Sequence, residues 1–360
     1  MSRNPSYYVQ GLGNISPQKT HENSEFLNEI SEYNDNILSF VLPEFKDYIH
    51  PLKLRRMSRI LRVGLCAAKI AAKDANLTMP DAIITASGYG CITDTSKFLE
   101  EILQNGEKQL TPTFFMQSTY NSVSGTIAME MKCNNYNTTY VHRGFAFENA
   151  LQDALMQLTD APEKRILLGA FDETNSEQFF ISQRTGNHKR TLINNLQLFD
   201  TDEQGTLQGE GAAFFVLGTE KTANTYCKFR GVKTIYNPQT ASQITEQINA
   251  LLQENDLNVK DIDVVINGIG GDLRKDAIHK ETANTLFAEK TQTAFKHLSG
   301  DYATASSFGL WLGAKILHHQ FIPDAVKINT AENPSSIRHI LLLNHFWGKN
   351  CSVMLLSNAE

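Results

Sequence analysis

Residues 208–217 read Gln-Gly-Glu-Gly-Ala-Ala-Phe-Phe-Val-Leu. Glu210, held between two glycines, reads as a residue that organises a loop. The apolar run 211–217 behind it reads as a buried strand. Working outward, residues 165–171 (Arg-Ile-Leu-Leu-Gly-Ala-Phe) supply a second such strand, and the chain closes on another pair at 339–344 and 352–356. The pair 166–171 and 212–217 mirrors that closing pair. This predicts two related halves, residues 1–219 and 226–360, split near residues 218–226.

Between these strands helical spacing recurs. Met57, Ile60, Leu61, Gly64, Leu65, Ala68, Ala71, Ala72 and Ala75 make a long helix whose small-residue face can pack closely. Residues 82–86 form a buried strand ending at Gly88-Tyr89-Gly90. A helix is expected over 118–131, a strand over 138–142, and then a helix marked by Ala150, Leu151, Ala154, Leu155 and Leu158. The later part repeats this order: a helix through Ile244, Ile248, Leu251 and Leu252, a strand at 263–267 entering a Gly-rich turn, and a helix over 308–317. Alternating strands and helices define an α/β protein.

Composition excludes several classes. The 360 residues are 41% hydrophobic and 20% charged, which is globular and not disordered. No run approaches the roughly 18 apolar residues of a membrane span. The opening Met-Ser-Arg-Asn-Pro-Ser-Tyr-Tyr lacks a secretory core, so a cytoplasmic protein is expected. A net charge of −6 argues against nucleic-acid binding. The five cysteines include no Cys-x-x-Cys pair and the ten histidines no His-Glu-x-x-His, so neither a disulfide framework nor a metal site is expected. His318 and His319 are adjacent, and their rings should diverge.

Several segments taken together resemble the β-ketoacyl-acyl-carrier-protein synthases. Val9-Gln-Gly-Leu-Gly-Asn-Ile-Ser-Pro looks like that family's opening strand. Phe199-Asp200, Gly205 and Gly209-Glu210-Gly211-Ala212 look like its PFD…DG…GEGAG segment. Leu168-Gly-Ala-Phe-Asp-Glu is similar to its strand ending in an acidic pair, and Asn344-His-Phe-Trp-Gly-Lys-Asn350 resembles its NSFGFGGTN loop, two residues short. The resemblance implies a thiolase-like fold, five-layered αβαβα with two pseudo-symmetric halves. It also implies a dimer paired through the strand at 138–142, and no cofactor.

The same resemblance bears on the chemistry. A condensing enzyme of this family needs a cysteine at a helix N-terminus, where the helix dipole favours the thiolate, together with two histidines and an oxyanion hole. Counting back from Ala150-Leu151 puts Gly144 at the cysteine position, and no cysteine lies between Cys133 and Cys227. A glycine there is also what an ordinary turn would carry. The first histidine belongs in Asn267-Gly-Ile-Gly-Gly-Asp272, which has none; His279 lies further on, inside a helix. In the Lys-x-x-x-Gly-His segment, Lys296 and Gly300 are kept but Asp301 replaces the histidine, with His297 turned elsewhere.

With all three side chains missing, no catalytic residues are expected, and Gly144, Asp301 and Lys296 stand as vestigial positions. Phe145, Phe346 and Trp347 are the expected tunnel or gating residues, with Trp347 a candidate to fill the vacated pocket. Arg55, Arg56, Arg59 and Arg62, like Arg184, Lys189 and Arg190, read most simply as a solvated face; the sharper reading is docking of an acidic acyl carrier protein. Asp172 and Glu173 are expected to satisfy backbone donors. The leading expectation is a catalytically silent subunit of the chain-length-factor kind, partnered by an active ketosynthase or by a second copy of itself. The alternative is a remodelled acyl-carrier-protein-dependent enzyme using Asp301, Lys296 and His142.

Overall fold

The computed structural model describes residues 5–359. Residues 1–4, part of the N-terminal stretch read above as lacking a secretory signal, and Glu360 lie outside the described residues. The strands in chain order are β1 Tyr7–Ile15, β2 Ile37–Leu38, β3 Ala82–Ser87, β4 Tyr136–Val141, β5 Ile166–Asp172 and β6 Gln208–Gly209. They continue with β7 Gly211–Gly218, β8 Cys227–Tyr236, β9 Val264–Gly268, β10 Thr291–Ala294, β11 His339–Phe346 and β12 Asn350–Ser357. Apart from the short parallel pair β2 and β6, they run in the order β10-β9-β11-β12-β8-β1-β7-β5-β3-β4.

That order is one pattern used twice. In the first half β1 pairs antiparallel with β7, β7 antiparallel with β5, β5 parallel with β3 and β3 parallel with β4. In the second half β8, β12, β11, β9 and β10 repeat the same senses in the same sequence. The two five-stranded sheets meet at a short antiparallel corner, Tyr7–Val9 against Cys227–Phe229.

Five layers result. The Arg59–Asp74 helix lies outside the first sheet on β1, β5 and β7. Its Ala67 and Ala71 backbone comes so near β1 that a Cβ on Gly11 would meet Ala71 O at 2.8 Å, which explains the glycines of the opening strand. In the middle layer Ala146–Asp160 packs on the first sheet, while Ser306–His319 touches strands of both sheets and is buried from Ser306 through Leu317. A helix apolar on all sides is what a central layer requires. Ala241–Gln253 and Ala277–Phe287 cover the second sheet. The fold is thus α/β, five-layered αβαβα.

Some elements differ from expectation. The helix expected over 118–131 begins only at Ser122 and runs to Met131, and a separate short helix, Pro112–Gln117, precedes it. The edge strand β4 stops at Val141, so His142 lies beyond it. Strand β10 reads Thr-Gln-Thr-Ala and carries no apolar alternation, yet it is buried. Among the described residues no helix is long and apolar enough to cross a membrane.

Candidate active site

In open α/β sheets, ligand sites gather at the carboxyl ends of parallel strands. Here the ends of β3, β4, β5, β9 and β11 carry Gly88–Gly90, His142–Gly144, Asp172, Gly268–Asp272 and Phe346–Lys349 respectively. Asp172 ties these loops together. Its Oδ1 accepts from Ser87 Oγ at 3.0 Å, Gly88 N at 2.9 Å and Tyr89 N at 3.1 Å, and its Oδ2 from Thr304 N at 3.0 Å and Thr304 Oγ1 at 2.8 Å. One buried carboxylate therefore joins a loop of the first half to a loop of the second.

Gly144 is buried and sits just before the Ala146–Asp160 helix with φ +97°, a conformation that side chains rarely adopt. A Cβ built there would lie 2.8 Å from both Cβ and Cγ of Asn350 and 3.0 Å from its Oδ1. The space into which a nucleophile would project is filled by Asn350, the first residue of β12. Trp347 does not fill it. That side chain stacks on Phe346 at 4.4 Å and faces an outer cleft of about 420 Å³, shared with Tyr89, Ile92, Arg143 and Gln178. Arg143 lies over the Tyr89 ring at 4.9 Å. Phe145 is half-buried and stacks at 5.6 Å on the exposed His142, while Phe346 is buried.

Lys296 and Asp301, expected above as vestigial positions, form a buried ion pair. Lys296 Nζ lies 2.8 Å from Asp301 Oδ1 and donates to His345 O at 2.5 Å, with both side chains almost wholly buried. His297 points away, bonded to Ala325 O at 2.7 Å. Gly209 packs against Ser299 and Gly300, which seats the Gly209-Glu210-Gly211 loop directly under the Lys296–Asp301 turn.

His345, Asp276 and His279 also belong to this cluster and were not singled out in the sequence as site residues. His345 Nδ1 accepts from Gly348 N at 3.0 Å, which leaves Nε2 to donate to Asp276 Oδ1, also at 3.0 Å. Burial would raise Asp276, but the His345 imidazole and the Gly270 N–H together hold it below the ordinary carboxylate value. His279, called above only a helix residue, packs against His345 with ring centroids 4.3 Å apart, and burial drives it well below the usual imidazole range. Burial likewise lowers His188 to about 4, although Asp301 opposes the shift. Glu148, in the first turn of the Ala146–Asp160 helix, is raised by burial while Ser352 Oγ donates to it at 2.8 Å. Cys351 follows Asn350 on β12, and burial pushes its thiol up to about 12, far from a reactive thiolate at neutral pH. Among the described residues no three His, Cys, Asp or Glu side chains converge as a metal would require.

The four arginines read as one basic face separate in space. Arg59 turns inward, donating from Nη1 to Glu210 Oε2 at 2.9 Å and lying 3.6 Å from Glu173, so it serves the interior. Arg62 bonds Met57 O at 2.8 Å, and Arg55 and Arg56 are exposed. Lys189 is buried and donates to Gly271 O at 3.0 Å. Glu173 accepts from Thr93 N at 3.2 Å, at the start of the Ile92–Asn105 helix.

Burial raises Glu173 to about 7, against the attraction of Arg59. An acid raised in the folded state stabilises the fold at low pH, and that contribution is lost as pH rises through the folded value. Between about pH 4.5 and 7 stability should therefore fall by roughly 3.5 kcal/mol through this group, at about 1.4 kcal/mol per unit. Urea titrations of Glu173→Gln across that range should show this part of the slope removed.

Comparison with known proteins bears on the fold. Residues 42–208 match the model of the β-ketoacyl synthase N-terminal domain. Among solved structures, a chain of the ishigamide ketosynthase/chain length factor is 20% identical with a TM-score of 0.81, covering 99% of this chain and 100% of that one. A β-ketoacyl synthase from Burkholderia phymatum STM815 is 13% identical (TM-score 0.77), with the same coverage. A chain from a type II polyketide synthase acyl-carrier protein in complex with its ketosynthase bound to the hexaketide is 14% identical (TM-score 0.78), again with the same coverage. No curated protein sequence matches. The fold is the thiolase-like fold of the ketosynthases. The chain is thus similar to the β-ketoacyl synthases in sequence over residues 42–208 and in fold over its whole length.

Proposed function

We propose that this chain is the non-acylating member of a ketosynthase pair, acting as a chain-length-factor type of subunit in the assembly of a polyketide or fatty-acyl product. The observation that carries this reading is the nucleophile position itself: Gly144 offers no side chain, and Asn350 occupies the place where one would stand. The absence of both family histidines from the Lys296–Asp301 turn and the Gly268–Asp272 loop points the same way. An active subunit would supply the cysteine and both histidines, and the acyl carrier protein would approach the exposed basic residues Arg55 and Arg56. The test is intact-protein mass after incubation with acyl-loaded and malonyl-loaded carrier protein. No adduct and no loss of carbon dioxide are expected. An adduct on this chain would overturn the reading and favour the remodelled enzyme, which the buried Lys296–Asp301 and His345–Asp276 pairs would serve.

The partner would pair along β4. This strand is at the edge of the sheet and leaves Tyr136 and Val141 exposed, with Phe115, Met116, Tyr120 and Met129 exposed on the two preceding helices and their connection. Unpaired edges beside apolar side chains invite a second chain. Val141→Asp should therefore shift the protein toward monomer in sedimentation, with little change in the stability of the single chain. An unchanged association state would remove β4 from the interface.

A further inference from the structure

We propose that a second cavity, lined by β9, β10 and the Ala277–Phe287 helix, binds a small amphipathic carboxylate that carries a hydrogen-bond donor beside its acid group. The cavity holds about 370 Å³ and has two kinds of wall. Phe199 and Ile328 give it an apolar side. The polar lining is made of buried Asn267 and Gln292, half-buried Lys280 and Asn329, and exposed Asn284. Its volume is at the small end of ligand sites, which begin at about 300 Å³. None of Gly144, Asn350, Lys296 or Asp301 lines it.

The polar wall is not self-sufficient. Asn267 is 2% exposed and Gln292 6%. Asn267 Nδ2 donates to Gln292 Oε1 at 3.3 Å, and Gln292 Nε2 donates to Phe287 O at 3.1 Å. Asn267 Oδ1 accepts nothing from the protein, so a buried acceptor is left for a donor that the chain does not supply. Lys280 supplies the charge. Its partner, Asp276 Oδ2, stands 4.0 Å away and already accepts from Gly271 N, while Asp276 Oδ1 is taken by His345 and Gly270. The ammonium can thus engage a second anion at the rim. Asn284 follows Lys280 by four residues on the same helix and shares its face. A carboxylate on Lys280, a hydroxyl or amide N–H on Asn267 Oδ1 and a short carbon chain on Phe199 and Ile328 together satisfy the walls. A bare inorganic anion would leave the apolar side and the buried acceptor unused.

Ligand-observed NMR with the full chain and four probes tests this: 3-hydroxyhexanoate, hexanoate, hexanol and inorganic phosphate. The hydroxy acid should bind about two- to tenfold more tightly than hexanoate, the worth of one net hydrogen bond. Phosphate should give no signal. Lys280→Met, at a half-exposed position, should weaken both acids and leave hexanol unchanged, and Asn267→Leu should abolish the preference for the hydroxy acid. No acid binding, equal acid binding in Lys280→Met, or phosphate binding as well as the acids would each overturn the assignment. Lys280→Met alone decides the matter if Asn267→Leu does not fold.

Discussion

Gly144→Cys, made alone, lowers stability by about 2–5 kcal/mol and yields no acylated protein. Two effects add. A side chain forced to positive φ costs about 1–2 kcal/mol, and overpacking a filled site typically costs about 1–3 kcal/mol more. Here the overpacking is against Asn350, whose Cβ itself stands 2.8 Å from the new atom, so trimming to alanine would not relieve it. Combining Gly144→Cys with Asn350→Gly should recover the overpacking part and leave the backbone part. Urea denaturation separates the two, and intact mass after exposure to acyl-loaded carrier protein reads the chemistry. A single Gly144→Cys variant as stable as its parent and readily acylated would mean that Asn350 is not a plug.

Lys296→Met should be comparably severe, at about 3–5 kcal/mol, because it strands the Asp301 carboxylate in the interior. It also leaves the His345 carbonyl without its Lys296 donor. The double variant Lys296→Met with Asp301→Leu should regain most of that loss, since an apolar pair of similar volume often replaces a buried ion pair at little cost. The coupling energy from that double-mutant cycle is the measurement. Additive effects would show that the two side chains do not depend on each other, whatever their 2.8 Å separation.

The strands that were legible in the sequence were those with continuous apolar runs, such as β3, β5, β7, β11 and β12, which are buried along their length. Strand β10 escaped because Thr291, Gln292 and Thr293 bury polar side chains that tertiary partners satisfy, Gln292 through Asn267 and Phe287. At the site, motif spacing carried the expectation that a cysteine and two histidines are missing, but could not show what packs at Gly144 and Asp301. Asn350 meets Gly144 across some two hundred residues of chain, and His345 meets Asp276 across |i−j| = 69, so only folding brings them together. One signal was available: His345 lies inside the closing loop already compared with the family, at a position where that loop carries serine. Arg59 misled because a charge at the start of a helix looks solvated until its Glu210 partner is placed beneath it.

The corner where Tyr7–Val9 meets Cys227–Phe229 has a mechanical consequence. Each half contributes an end strand to one unbroken hydrogen-bonded ribbon, and the Ser306–His319 helix is clasped from both sides. The exposed connection through Lys221 is therefore a tether and not a hinge. Nicked there by a protease, the molecule would travel as one particle and melt in one step, like a book whose ribbon marker has been cut but whose binding still holds.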